Sequence, residues 1–152
     1  MTLRLHDASG HGLTLRVAHY EHPDRTGPLD HHDGYDDDAN WLVVDGEVVD
    51  GGRRWAFRAP CLTTSEAGAL AHWLREAAAG RAPARLGFVE PCLGLRIGRQ
   101  AGGSVHLTAT FASRALPPGE EAPRAVALVV PSAHLRRAAE AWSEHLLAYP
   151  ER

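Results

Sequence analysis

The apolar residues of this chain pass twice from strand spacing to helix spacing, and that order constrains the fold more than any other feature. Over about 40–49, Trp41 and Val43 interleave with Leu42, Val44 and Val48, so both faces are partly apolar, as in a central strand. Leu70, Trp73, Leu74 and Ala77 then recur at the i, i+3, i+4, i+7 spacing of a helix lying on a sheet. Thr63 or Thr64 caps that helix, Thr63 and Glu66 stand at capping-box spacing, and Gly80 supplies a left-handed stop. Near the end, a strand at about 124–130 stops at Pro131 and Ser132 caps a second helix. Its apolar stripe is Leu135, Ala138, Ala139, Trp142, Leu146 and Tyr149.

Five further strands fill the remaining patterned stretches, with a sixth following the central one. Residues 2–6 and 12–20 form a hairpin turning at Asp7-Ala8-Ser9-Gly10, and 53–58 follows the central strand through Asp50-Gly51-Gly52. Strands at about 85–90, 92–98 and 104–112 come next, the last two separated by the glycine-bearing run 98–103. Val105, Leu107, Ala109 and Phe111 share one face there, and His106, Thr108 and Thr110 the other. Connections of hairpin type, without alternating βαβ crossovers, predict an α+β fold: a mostly antiparallel sheet of about seven to eight strands with two amphipathic helices packed on it. At 152 residues and 16.4 kDa the chain reads as a single domain, 1–152, with a core of its own. Pro-Cys-Leu occurs at 60–62 and again at 91–93, too short an echo to establish an internal repeat.

Residues 21–39 break the pattern. Pro, Gly, Asp and His dominate, no periodicity survives, and unstructured stretches of that length are either functional or disordered. Glu21, Asp24, Asp30, Asp33, Asp36, Asp37 and Asp38 fall in this stretch, opposed by Arg25 and by His22, His31 and His32. The chain contains no lysine, and its arginines are scattered, which disfavours nucleic-acid binding. No apolar run approaches the roughly 20 residues a bilayer needs. The start, Met1-Thr2-Leu3-Arg4-Leu5-His6-Asp7, lacks the layout of a signal peptide, so a cytoplasmic location is expected. In a reducing compartment Cys61 and Cys92 read most simply as small buried hydrophobes, without a local signature of an activated thiolate.

Chemistry-bearing groups are present but not assembled. The run His31-His32-Asp33-Gly34-Tyr35-Asp36-Asp37-Asp38 contains metal-ligand types, so a metal- or small-molecule-binding module built on loop 30–38 stays open, although the spacing is not that of a calcium loop. Ten histidines and nominal nucleophiles at Ser65, Ser132, Cys61 and Cys92 invite a hydrolase reading. Against it, the chain has no G-x-S-x-G elbow, no H-E-x-x-H, no phosphate loop and no dinucleotide fingerprint. A hydrolase would have to gather His106 or His72 with a carboxylate and a nucleophile in a deep pocket. His72 and His145 stand beside polar neighbours on their helices and read as surface residues. Trp73 and Trp142 lie on helical stripes, and Trp55 covers a helix–sheet seam. Trp41 adjoins the acidic stretch and is the candidate interface anchor.

The run Asp37-Asp38-Ala39-Asn40-Trp41-Leu42-Val43-Val44, followed by Gly46-Glu47-Val48, Trp55, Phe57, Pro60-Cys61-Leu62-Thr63-Thr64, Glu66, Leu70 and Trp73-Leu74, resembles the WapI family of bacterial immunity proteins. Leu86, Phe88, Glu90-Pro91 and Leu93 continue the likeness, which is detailed over about 35–97 and rests on length and order elsewhere. The resemblance implies a non-enzymatic protein that needs no cofactor and binds the C-terminal domain of a cognate toxin, often a nuclease. It offers no catalytic residues. The charge pattern assigns the contact to Asp30, Asp33, Tyr35, Asp36, Asp37, Asp38 and Trp41. Nothing in the chain identifies the toxin or the oligomeric state.

Overall fold

The computed structural model describes residues 2–25 and 37–152. Strands β1 (Leu3–His6), β2 (His11–Tyr20), β3 (Trp41–Asp50) and β4 (Arg53–Thr63) form one antiparallel sheet in chain order, and β4 runs directly into helix α1 (Thr64–Ala78). The path is then drawn again. Strands β5 (Arg85–Leu86), β6 (Leu93–Ala101), β7 (Ser104–Phe111) and β8 (Arg124–Pro131) form a second antiparallel sheet in chain order, and β8 runs directly into helix α2 (Ser132–Leu146). The expected α+β architecture, antiparallel pairing and two helices are all present; the eight strands divide equally between two sheets. Two topologically equivalent halves result, but Pro-Cys-Leu does not mark them, because it ends the fourth strand of the first and precedes the second strand of the other.

Three strand boundaries differ from expectation. β5 stops at Leu86 instead of running to about 90, and two other strands run on. β4 continues through Pro60 to Thr63, because Leu42 and Trp41 of β3 still pair with Leu62 and Thr63 beyond a register shift at Leu42/Val43. β6 likewise continues through Gly98 to Ala101, so that its turn to β7 shrinks to Gly102-Gly103, both at positive φ (62° and 77°) as a tight hairpin requires.

The α1 junction follows the sequence signal. Thr63 Oγ1 accepts the Glu66 N–H at 3.2 Å, and the Glu66 carboxylate accepts the Thr63 N–H at 2.9 Å. Gly80 takes the left-handed conformation expected past the helix end, with φ 76°. Ser132 does not cap α2. It is the first residue of the helix, Pro131 occupies the cap position without a side-chain bond, and the Ser132 N–H instead donates to the Gly103 carbonyl at 2.8 Å.

One buried cluster runs through both sheets and both helices. The stripes predicted for the helices point into it: Leu70, Trp73, Leu74 and Ala77 from α1, and Leu135, Ala138, Ala139 and Trp142 from α2, with Leu146 and Tyr149 packed on its margin. The helices pack on each other, and the Trp142 indole donates to the Ala67 carbonyl at 2.9 Å. Between the sheets, Phe111 of β7 stands edge-on to Trp55 of β4 with ring centroids 5.8 Å apart. Asp7 adds a polar tie. Its carboxylate is 5% exposed and accepts N–H bonds from Ser9 and His11 in its own turn (2.9 and 3.1 Å) and from Val129 of β8 (3.2 Å). Burial opposes the charge on Asp7, yet the three N–H donors outweigh it and hold its pKa below the usual value.

His145 departs from its expected place on the surface. It is half-buried, and its Nε2 accepts the Val17 N–H at 2.9 Å, where β2 shifts register between Val17 and His19. The bulge takes that N–H out of the ladder, and the imidazole satisfies it. Burial pushes the His145 pKa down, and the bond requires the neutral ring.

Candidate partner-binding cleft

A cleft of about 460 Å³ opens where the two halves meet. The first half contributes Glu21, just past β2, Asp38 from the 3-10 turn Asp37–Asn40, Trp41 at the start of β3 and Pro60 in β4. Glu90 and Cys92, ahead of β6, come from the second half, together with Ser113 and Arg114 on the 3-10 turn Ser113–Ala115.

Backbone bonding explains how distant segments converge here. The Glu21 N–H donates to the Trp41 carbonyl at 2.8 Å, so the end of β2 and the start of β3 are held side by side. Asn40, fully buried behind the rim, makes a two-way bond with the last residue: Arg152 N–H donates to Asn40 Oδ1 at 2.8 Å, and Asn40 Nδ2 donates to the Arg152 carbonyl at 3.0 Å. The Thr64 hydroxyl donates to the same Oδ1 at 3.2 Å, which ties the turn to the start of α1. On the opposite wall, Glu66 Oε1 accepts the Val89 N–H at 2.7 Å and the Cys92 carbonyl accepts the Ala112 N–H at 3.1 Å.

The cleft therefore gathers the carboxylates of Glu21, Asp38 and Glu90 around a half-buried indole, with Arg114 the cation among its lining residues. Arg25 donates to Asp38 at 2.8 Å, and both side chains are about half exposed, so water screens the pair. A different arrangement holds on the outer face of the first sheet. There Asp45 accepts two bonds from Arg58 (2.5 and 2.9 Å) and one from Arg16 (2.7 Å); Arg58 and then Arg16 lower its pKa to about 2 against the effect of burial. Asp45 is neutralised from within the sheet.

Of the contact residues expected from the sequence, Asp38 and Trp41 line this cleft and Asp37 opens the turn that carries Asp38. Asp30, Asp33, Tyr35 and Asp36 lie outside the described residues, as does most of the metal-ligand run. Among the described residues no group of three or more His, Cys, Asp or Glu side chains could hold a metal ion. His106 is exposed on the polar face of β7, and the groove that holds His72, beside Glu76 and Arg81, has no hydroxyl or thiol among its lining residues. Sequence reasoning does not single out Glu90, Cys92, Ser113 and Arg114 as cleft residues. Glu90 enters only within the family pattern, and nothing in the sequence indicates that Ser113 would take a left-handed backbone conformation, φ 55°.

Comparison with family models matches residues 4–150 to the Immunity protein WapI-like family. The chain belongs to that family. The match spans both halves of the fold and takes in the residues of both cleft walls. No curated protein and no solved structure matches the chain. No helix among the described residues is long and apolar enough to cross a membrane.

Proposed function

We propose that this WapI-like protein neutralises a cognate toxin domain by direct protein–protein contact, with no catalysis of its own, and that the acidic cleft is part of the contact surface. The convergence of Glu21, Asp38 and Glu90 around Trp41, in a member of an immunity family, carries this reading. A toxin domain acting on nucleic acid presents arginine and lysine side chains to phosphate. Carboxylates gathered in a cleft offer those side chains a comparable partner, with charge-assisted bonds and steered encounter. Trp41 adds an aromatic face on which a guanidinium can stack. Asp30, Asp33, Tyr35, Asp36 and Asp37 belong to the same acidic stretch and are assigned to this surface with Asp38 and Trp41. The partner is the C-terminal domain of a toxin, and a nuclease is the class whose charge fits best. No cofactor is required.

Stopped-flow association with the purified toxin domain encoded beside the chain's own reading frame tests the assignment. The double change Asp38→Lys and Glu90→Lys is expected to slow association about tenfold at low salt and to flatten its salt dependence, with an unchanged thermal midpoint. Trp41→Ala is expected to act on dissociation instead, raising the off-rate about thirtyfold if the indole anchors the interface. Rates that match those of the unmodified protein for both variants would remove the cleft from the contact.

A further inference from the structure

The outer faces of the two sheets hold their arginines in different company. In the first sheet Arg16, Asp45 and Arg58 stand in one row across β2, β3 and β4, and the carboxylate accepts from both guanidinium groups. In the second sheet Arg85 of β5, Arg96 of β6 and Thr108 of β7 stand in one row, and the two arginines are direct cross-strand partners with no acid between them. Side chains placed directly opposite begin about 4.5–5.5 Å apart at Cβ, and like charges in that relation are destabilising. Neither arginine forms an ion pair among the described residues.

The row borders a groove of about 300 Å³ on the exposed side of the second sheet. Arg96, Thr108 and Thr110 alternate with the buried Leu95, Leu107, Ala109 and Phe111, so their side chains face outward together. Gly94, Thr110 and Ala125 form a second row, in register across β6, β7 and β8. Their small side chains leave a shallow floor beside the two arginines. No carboxylate lines the groove, and it shares no lining residue with the acidic cleft.

Donors from three strands are thus brought together without an acceptor. Guanidinium N–H groups and a hydroxyl all donate to an oxyanion, and the number of its oxygens decides how many donors it serves. A carboxylate has two, which a single arginine fills bidentately. A phosphoryl group has three, enough for both arginines and the Thr108 hydroxyl at once. The groove is several times larger than a phosphoryl group, so the second row is left to receive whatever the phosphate is attached to.

We propose that this groove binds a phosphomonoester, a small molecule whose phosphoryl group bridges Arg85 and Arg96, accepts the Thr108 hydroxyl proton in a hydrogen bond, and lays its organic part over Gly94, Thr110 and Ala125. The bound dianion supplies the negative charge that Asp45 supplies within the first sheet. Binding relieves the repulsion between β5 and β6 and fastens β5, a strand of two residues, to its neighbour. The site does not depend on which partner the acidic cleft receives.

Titration calorimetry of the full-length protein with phenyl phosphate is the test, at about pH 7.5, where a phosphomonoester is close to doubly charged. Saturable one-to-one binding is expected, in the millimolar range or tighter. Arg85→Gln and Arg96→Gln should each weaken it about tenfold, and Thr108→Val about threefold. Arg54→Gln removes an exposed arginine of β4 outside the groove and should leave the affinity unchanged. Circular dichroism checks that each variant is folded. Without ligand, Arg85→Gln and Arg96→Gln should unfold at no lower temperature than the unmodified protein, because each removes the like-charge contact. Inorganic phosphate should bind the same groove more weakly than phenyl phosphate, for want of an organic part. Absence of saturable heat, equal weakening by Arg54→Gln, acetate or inorganic phosphate bound as tightly as phenyl phosphate, or a single-stranded oligonucleotide held there in preference to the monoester would overturn the proposal.

Discussion

The two halves follow the same path, four antiparallel strands running straight into a helix, but they complete that junction by different means. In the first, the side chains of Thr63 and Glu66 satisfy the opening N–H groups from within one helical turn. In the second, Pro131 brings no side-chain acceptor, and the Ser132 N–H is met by the Gly103 carbonyl, from a turn almost thirty residues earlier in the chain. One junction is built from local chemistry and the other is completed only when β6, β7 and β8 have assembled. Identical topology does not imply identical folding instructions.

The sharpest way to break the comparison is to cut what joins the halves. Asp7→Ala removes a nearly buried carboxylate that accepts three N–H bonds, one of them from β8 in the other half. Orphaning those donors is expected to cost about 2–4 kcal/mol in urea denaturation, with a single transition retained. A loss below about 1 kcal/mol would show that apolar packing alone unites the halves.

Next in size are the two junctions themselves. Thr63→Ala should cost about 1 kcal/mol, as the loss of an N-cap does, whereas Ser132→Ala should stay within about 0.5 kcal/mol because its hydroxyl makes no cap bond. Equal costs measured by thermal unfolding would mean that the second helix depends on its hydroxyl after all.

The smallest effect is a pH dependence confined to α2 and β2. The folded pKa of His145 lies below the unfolded value of 6.5, so the unfolded chain binds its proton first as pH falls. Stability from this group is therefore complete above pH 6.5 and declines as pH drops through it. His145→Gln, whose amide oxygen can accept the same Val17 N–H, should lose less stability than the unmodified protein between about pH 7 and pH 5. Parallel curves would assign the acid sensitivity to other groups.

These contrasts also explain what could be read from the residues in order. The capping box at Thr63, the helical stripes and the alternation through β7 were legible because each is set within a few positions of chain. The division into two sheets was not, because it depends on α1 carrying the chain away from β4 and on β5 forming just two residues, neither of which leaves a periodic trace. His145 read as a surface residue because its polar neighbours on the helix are visible in the sequence and the bulge at Val17 is not. The cleft was half legible. Asp38 and Trp41 sit in a conspicuous acidic run, while Glu90, Cys92 and Arg114 reach the same place only through pairings between distant segments.

The two-way bond between Asn40 and Arg152 couples the rim of the cleft to the far end of the chain. A tug on Asp38, two residues before Asn40, is therefore felt by a residue more than a hundred positions later. Loss or displacement of Arg152 should loosen the turn that carries Asp38, and anything that immobilises that turn should steady Arg152.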